Sequence, residues 1–166
     1  MTIDAINIKG LHHAAYRCRD TGETRTFYED FLGLPLTDAF EIRETKTGRD
    51  TRVLHSFFEM ADGSNIAFFE APDQDFEFKT QHDFDLHIAL EVTETHLHEM
   101  FERAKAEGRE VRGISDHGFI HSIYFRDPNG YVVELTARVG DGENDRAKVR
   151  AVLENWQATK PGTDTA

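Results

Sequence analysis

The sequence predicts an α+β fold of two consecutive βαβββ modules, on the strength of its alternation, its helix punctuation and an internal repeat. Short runs carry apolar residues at every second position. Val53, His55 and Phe57 would face one way and Leu54, Ser56 and Phe58 the other, as in a strand with a covered face. Two longer segments have helical spacing between a capping residue and a glycine, Asp20 to Gly33 and Thr93 to Gly108. The halves also match each other: His13 and His87 lie 74 residues apart, and the same offset carries Ala15 onto Ala89 and Phe27 onto Phe101.

Residues 10–70 make the first module. Gly10–Cys18 is its first strand, and Asp20 with Glu23 three residues later forms a capping-box pattern. The helix runs to Leu32 with Phe27, Tyr28, Phe31 and Leu32 on its apolar face, and Gly33 takes the left-handed position that ends it. A second strand runs from Leu34-Pro35-Leu36 to about Arg43, Glu44–Asp50 is a polar turn or loop, and Thr51–Met60 is the third strand. Ala61-Asp62-Gly63-Ser64 signals a hairpin turn into the fourth strand, Asn65–Glu70. Ala71–Asp83 is a linker, expected to be ordered as a flap.

The second module, 84–137, repeats the order: strand Phe84–Val92, helix Thr93–Glu107, short strand Glu110–Ile114, then a hairpin folded about Asp127-Pro128-Asn129-Gly130. Those four residues make a turn by their own chemistry and need no function. The C-terminal segment, 141–158, is expected to be helical, with the helix proper at about Asp145–Ala158. Val149, Val152, Leu153 and Trp156 fall on one face, to pack on the domain or on a second subunit, and Lys160–Ala166 is expected to fray.

The length, 166 residues, is that of a single domain, and a hydrophobic fraction of 39% with 13 Phe is ample for a core. Acidic residues outnumber basic ones 31 to 19, a net charge of −12 without any basic cluster, which argues against nucleic-acid and anionic-membrane partners. The one cysteine, Cys18, excludes an internal disulfide framework, reads as a small core residue and fits a reducing cytoplasm. No leader is visible and no run approaches a membrane span, so a soluble, intracellular protein is expected.

One stretch carries chemistry. In His117–Thr136 two alternating runs fold about the turn, and the second holds a lone acid, Glu134, between Tyr131-Val132-Val133 and Leu135. An unpaired carboxylate in a half-buried strand costs several kcal/mol of desolvation, and a cation is the natural compensation. His13 and His87 occupy similar apolar-flanked runs. Two His and one Glu at strand positions form the donor set that holds divalent iron with coordination positions left open.

With these residues, the two halves resemble the vicinal oxygen chelate superfamily, which includes glyoxalase I, the bleomycin- and fosfomycin-resistance proteins and the type I extradiol ring-cleavage dioxygenases. The resemblance covers residues 10 to 137. It implies that the modules form a curved, partly closed mixed sheet around a metal held by His13, His87 and Glu134. His13 is preferred to His12 because the family's His-x-Ala-x-x-x-x-Asp spacing fits His13-Ala14-Ala15 through Asp20, and because alternation lets only one of the pair face inward.

The run His117, Ile123-Tyr124, Asp127-Pro128, Gly130 and Glu134 is similar to the extradiol dioxygenase signature, which implies His117 and Tyr124 as candidate catalytic residues beside the metal. Each also has a plain reading, as a loop residue and as a half-buried strand residue. The sequence departs from the signature at Ser115, and it lacks the acid/base His that ring-cleaving relatives carry in the fourth strand, for which His55 or His121 would have to substitute. Glyoxalase I carries a fourth, carboxylate ligand there. Laying the Asp62 turn over the Asp127 turn puts Phe69 opposite Glu134 and leaves Glu70 out of phase, so three protein ligands are expected.

The resemblance thus implies a non-haem Fe(II) dioxygenase acting on a small catecholic or other vicinal-oxygen substrate, with Phe57, Phe58, Phe68 and Phe69 supplying an aromatic wall. The alternatives are a glyoxalase-like isomerase or lyase using Mn, Ni or Zn, and a resistance-type binding protein. A homodimer is expected, since half-barrels of this size have sheet edges to cover, and the three ligands would come from one chain or from two.

Overall fold

Two parallel strand pairings set the architecture of the chain, whose computed structural model describes residues 7–80, 82–140 and 146–161. The first module runs β1 (His13–Cys18), α1 (Thr21–Arg25, widening into a π-helical turn over Thr26–Phe31), β2 (Leu36–Glu44), β3 (Asp50–Glu59) and β4 (Asn65–Glu70). The second runs β5 (Ile88–Glu91), α2 (Glu94–Ala106), β6 (Val111–Asp116), β7 (Ile120–Arg126) and β8 (Val132–Arg138), and α3 (Arg146–Thr159) follows. In each module the helix carries the chain over one face, so that the first strand pairs parallel with the last, while the three later strands form an antiparallel meander. The sheet orders are β1-β4-β3-β2 and β5-β8-β7-β6, the repeat expected from the sequence.

Local rules account for most boundaries. Asp20 caps α1, its Oδ1 accepting from the Glu23 N–H at 2.8 Å. The reciprocal half of the capping box is missing, because Glu23 pairs with Arg19. Thr93 caps α2 through the His96 N–H, and Leu97, Met100 and Ala104 form its buried stripe. Two strands are shorter than expected. β1 begins at His13, not Gly10, and β5 at Ile88, not Phe84, because the chain before it turns back on the His82 carbonyl, which accepts from both Asp85 and Leu86. His87 therefore stands one residue before its strand. Residues 141–145 of the expected C-terminal helical segment lie outside the described residues.

Helix-side residues of both modules form one core, including Tyr28, Phe31, Phe58, Phe68, Leu97, Ile123, Phe125 and Val133. Phe31 meets Phe125 edge-on at 5.4 Å, with the Arg109 guanidinium over its ring.

The turn at Asp127-Pro128-Asn129-Gly130, self-sufficient by sequence, bolts the modules together. Asp127 is buried and accepts from the N–H groups of Asn129 and Tyr131 and from the Tyr28 hydroxyl of the first module at 3.1 Å. Asn129, also buried, accepts from the Arg19 N–H and donates to the Thr24 hydroxyl. The linker closes over it, Lys79 N–H donating to the Asn129 carbonyl at 2.8 Å. Gly130 has φ +97°, and a Cβ there would run into the Lys79 backbone. Gly130→Ala is therefore expected to lower stability by about 2–3 kcal/mol, read by denaturant titration, against under 1 kcal/mol for Gly10→Ala in open space.

Candidate metal centre

Glu134 stands in β8, only 5% exposed, in register with Tyr124 of β7 and Ala89 of β5. Cross-strand neighbours share a face, so these three look away from the helix-side Val133 and Leu135 toward the open face of the sheet. The His87 ring reaches the same point. Its Nε2 lies 3.1 Å from Glu134 Oε2, and its Nδ1 2.7 Å from the Asp83 carbonyl. A carbonyl only accepts, so Nδ1 donates to it, and Nε2 faces the carboxylate. Metal-ligating imidazoles take this orientation, with the second N–H tied to a backbone carbonyl. Bonds of about 2.1 Å at right angles also put two ligand atoms about 3 Å apart. The spacing, which is also that of an imidazole–carboxylate ion pair, thus admits a divalent cation, and a buried carboxylate is the charge such an ion would meet.

Two further expected residues join this face. The Tyr124 hydroxyl lies 3.3 Å from His117 Nε2, and the Arg112 guanidinium sits over the Tyr124 ring at 5.3 Å. Burial, and after it the Glu134 charge, push the Tyr124 phenol up, so it remains an O–H donor at neutral pH. Arg112 pairs in turn with Asp83, whose backbone carbonyl holds His87. Burial works to raise the Asp83 carboxyl, but Arg112 outweighs it and holds that group below its ordinary value. Arg112 and Asp83 were not singled out from the sequence. Their only signal was that Arg112 falls in phase with the face of Tyr124.

His13 belongs to the other sheet. Its ring meets His12, Nδ1 to Nδ1 at 2.8 Å, and packs edge-on against Phe57 and His55 at 5.8 and 6.5 Å. His12 stands before the strand begins, so it escapes alternation and shares the side of His13. His55 is buried, stacked on Phe69 at 3.7 Å, with Nδ1 2.9 Å from the Phe68 carbonyl. Phe40 and Phe57 complete an aromatic patch around it, whereas Phe58 and Phe68 of the expected wall are core. Among the described residues no three His, Cys, Asp or Glu gather where one ion would reach them. The chain thus brings His87 and Glu134 together, with His117 and Tyr124 beside them, and leaves His13 on the first sheet. Glu70 points to the helix side, where it accepts from the Thr21 N–H at 2.7 Å, and His121 faces Glu94 and Asp116.

The family model described as Glyoxalase/Bleomycin resistance protein/Dioxygenase superfamily matches residues 10–135. No curated protein matches the chain. Among solved structures, the genomically encoded fosfomycin resistance protein FosX from Listeria monocytogenes, complexed with Mn(II) and sulfate, is 26% identical with a TM-score of 0.58, over 82% of this chain and 96% of that one. A glyoxalase/dioxygenase from Nostoc punctiforme is similar in fold at 20% identity and a TM-score of 0.61, over 81% and 94% of the two chains. A glyoxylase/bleomycin resistance protein/dioxygenase domain from Frankia sp. EAN1pec is similar at 19% and 0.62, over 80% and 99%.

Proposed function

Because the chain belongs to the glyoxalase/bleomycin resistance protein/dioxygenase superfamily, we propose that it is a non-haem Fe(II) dioxygenase of the extradiol type, acting on a catecholic or other vicinal-oxygen substrate. The observation that carries this reading is the convergence of His87, Glu134, Tyr124 and His117 on one open sheet face. His87 and Glu134 would hold the metal with His13 as third ligand, and divalent iron held there supplies the redox chemistry with dioxygen. The residues of the chain do the rest. The Asp83 carbonyl fixes the His87 ring, and the protonated Tyr124 phenol, in contact with His117, donates to an oxygen of the substrate. The patch of Phe40, His55, Phe57 and Phe69 offers an aromatic ring a wall to stack on.

Since His13 does not meet the pair within one chain, we infer a homodimer in which each site takes His13 from one copy and His87 with Glu134 from the other. Purified His13→Ala and Glu134→Ala variants, each inactive, should regain about one quarter of wild-type activity when refolded together. Half the dimers are then mixed, and each mixed dimer keeps one intact site of two. No recovery would place the ligand set within one chain.

The direct test is anaerobic reconstitution with Fe(II), Mn(II), Ni(II) or Zn(II) followed by oxygen uptake with a panel of catechols. Uptake with Fe(II) supports the dioxygenase. The second reading, metal-assisted opening or isomerisation of a small substrate without oxygen uptake, draws on the 26% identity to a protein solved with Mn(II). Tight Mn(II), Ni(II) or Zn(II) binding without uptake would favour it. No helix among the described residues is long and apolar enough to cross a membrane. We propose a cytoplasmic location, which the lone buried cysteine, Cys18, fits.

A further inference from the structure

Strand order sets β5 and β6 at opposite edges of the second sheet, with β8 and β7 between them. One ion pair ties those edges. Arg112 leaves β6 opposite Tyr124, passes with its guanidinium over the Tyr124 ring at 5.3 Å, and ends on the Asp83 carboxylate in the turn that leads into β5. Its root is fixed as well: a Cβ on the next residue, Gly113, would lie 2.6 Å from the Ser122 carbonyl, so glycine lets β6 press on β7 there. At Asp83 two contacts meet on one residue. The side chain receives Arg112, and the backbone carbonyl receives His87 Nδ1 at 2.7 Å. The bonds from the Asp85 and Leu86 N–H groups to the His82 carbonyl are internal to the turn, whereas Arg112 reaches it from a strand position 29 residues away.

We propose that Arg112 is a positioning residue of the metal centre: by holding the Asp83 carboxylate it keeps the Asp83 carbonyl on His87, and so raises divalent-metal affinity from the far edge of the sheet. The inference rests on the reading above, in which His87 and Glu134 hold the ion. Outer partners that orient a ligating imidazole contribute about 10- to 100-fold in affinity. A guanidinium suits the task, since its planar fork stacks on an aromatic face and pairs with a carboxylate at once. Charge alone argues the other way. A cation beside the site repels a second cation, so by Coulomb's law removing Arg112 should tighten metal binding. Positioning requires that it weaken.

The sign of the effect is therefore the test. The full-length metal-free protein is titrated with Mn(II), and the free ion is followed by its electron paramagnetic resonance signal. Arg112→Ala is expected to weaken binding about tenfold, and Arg112→Lys, which restores a positive charge opposite Asp83, to recover most of the loss. Asp83→Asn should match Arg112→Ala, and the double variant should lose no more than either single one, because both act through one contact. The pair is exposed at Arg112, so the urea midpoint should hold in all four variants. Amide exchange of the metal-free protein gives a second readout. The Asp85 and Leu86 amides should exchange about tenfold faster in Arg112→Ala, while those of β7 and β8 keep their protection. Tighter or unchanged Mn(II) binding in Arg112→Ala, or additive losses in the double variant, would overturn the role of Arg112 and leave the proposed function standing. Wild-type protein that binds neither Mn(II) nor Fe(II) would overturn both.

Discussion

Glu134→Gln is expected to abolish metal-dependent turnover and to weaken divalent-metal binding by more than about 100-fold, beyond the 10- to 100-fold that loss of an outer partner typically costs. The substitution keeps the shape of the side chain and removes its charge. In the native protein that charge sits in a strand position only 5% exposed, 3.1 Å from the His87 Nε2. A carboxylate so placed gains most of its compensation from a cation, and a neutral amide gives an ion no comparable reason to leave water. Tyr124→Phe is the control on the same face: it removes the hydroxyl near His117 but no ligand, so metal affinity should hold within about tenfold while turnover falls. Calorimetric metal titration and Fe(II)-dependent oxygen uptake separate the two variants. A Glu134→Gln protein that binds metal as tightly as wild type would remove Glu134 from the ligand set.

Asp127→Ala should cost about 4 kcal/mol of folding stability without touching the candidate metal centre. Its carboxylate accepts from two backbone N–H groups, the Asn129 amide and the Tyr28 hydroxyl. Deletion strands these donors in the interior, at about 1–3 kcal/mol for each that water cannot reach. Asp127→Asn keeps one carbonyl oxygen for the two backbone donors and should cost less. The pair also makes a pH prediction. Burial pushes the Asp127 carboxyl up, outweighing the hydrogen bonds that would lower it. A carboxyl raised in the native state binds its proton more tightly than in the unfolded chain. Its contribution to stability is thus greatest below the unfolded value and declines as pH rises through the native one. Wild type should accordingly lose stability relative to Asp127→Asn as pH climbs out of the acid range, measured by paired urea titrations.

What the sequence determined by itself was periodic or punctuated. Alternation located the strands but overran the starts of β1 and β5, Asp20, Gly33, Thr93 and Gly108 bounded the helices, and the 74-residue offset revealed two like modules. Glu134 was legible because a lone acid in an apolar strand contradicts its surroundings, and phase alone put Glu70 on the helix side, where it meets the Thr21 N–H. Tertiary structure decided whatever depends on packing between distant segments. The Asp127-Pro128-Asn129-Gly130 turn satisfies its own backbone by local chemistry, so its second duty, holding Tyr28, Thr24 and Lys79, left no mark in the pattern. The turn around His82 that shortens β5, and the Asp83 carbonyl that orients His87, are backbone events to which side-chain periodicity is blind. Alternation put His13 and Glu134 on open faces, and the turn before β5 brings His87 to Glu134, but which open faces meet is set by how whole sheets pack. Only the structure separated His13 from the other two.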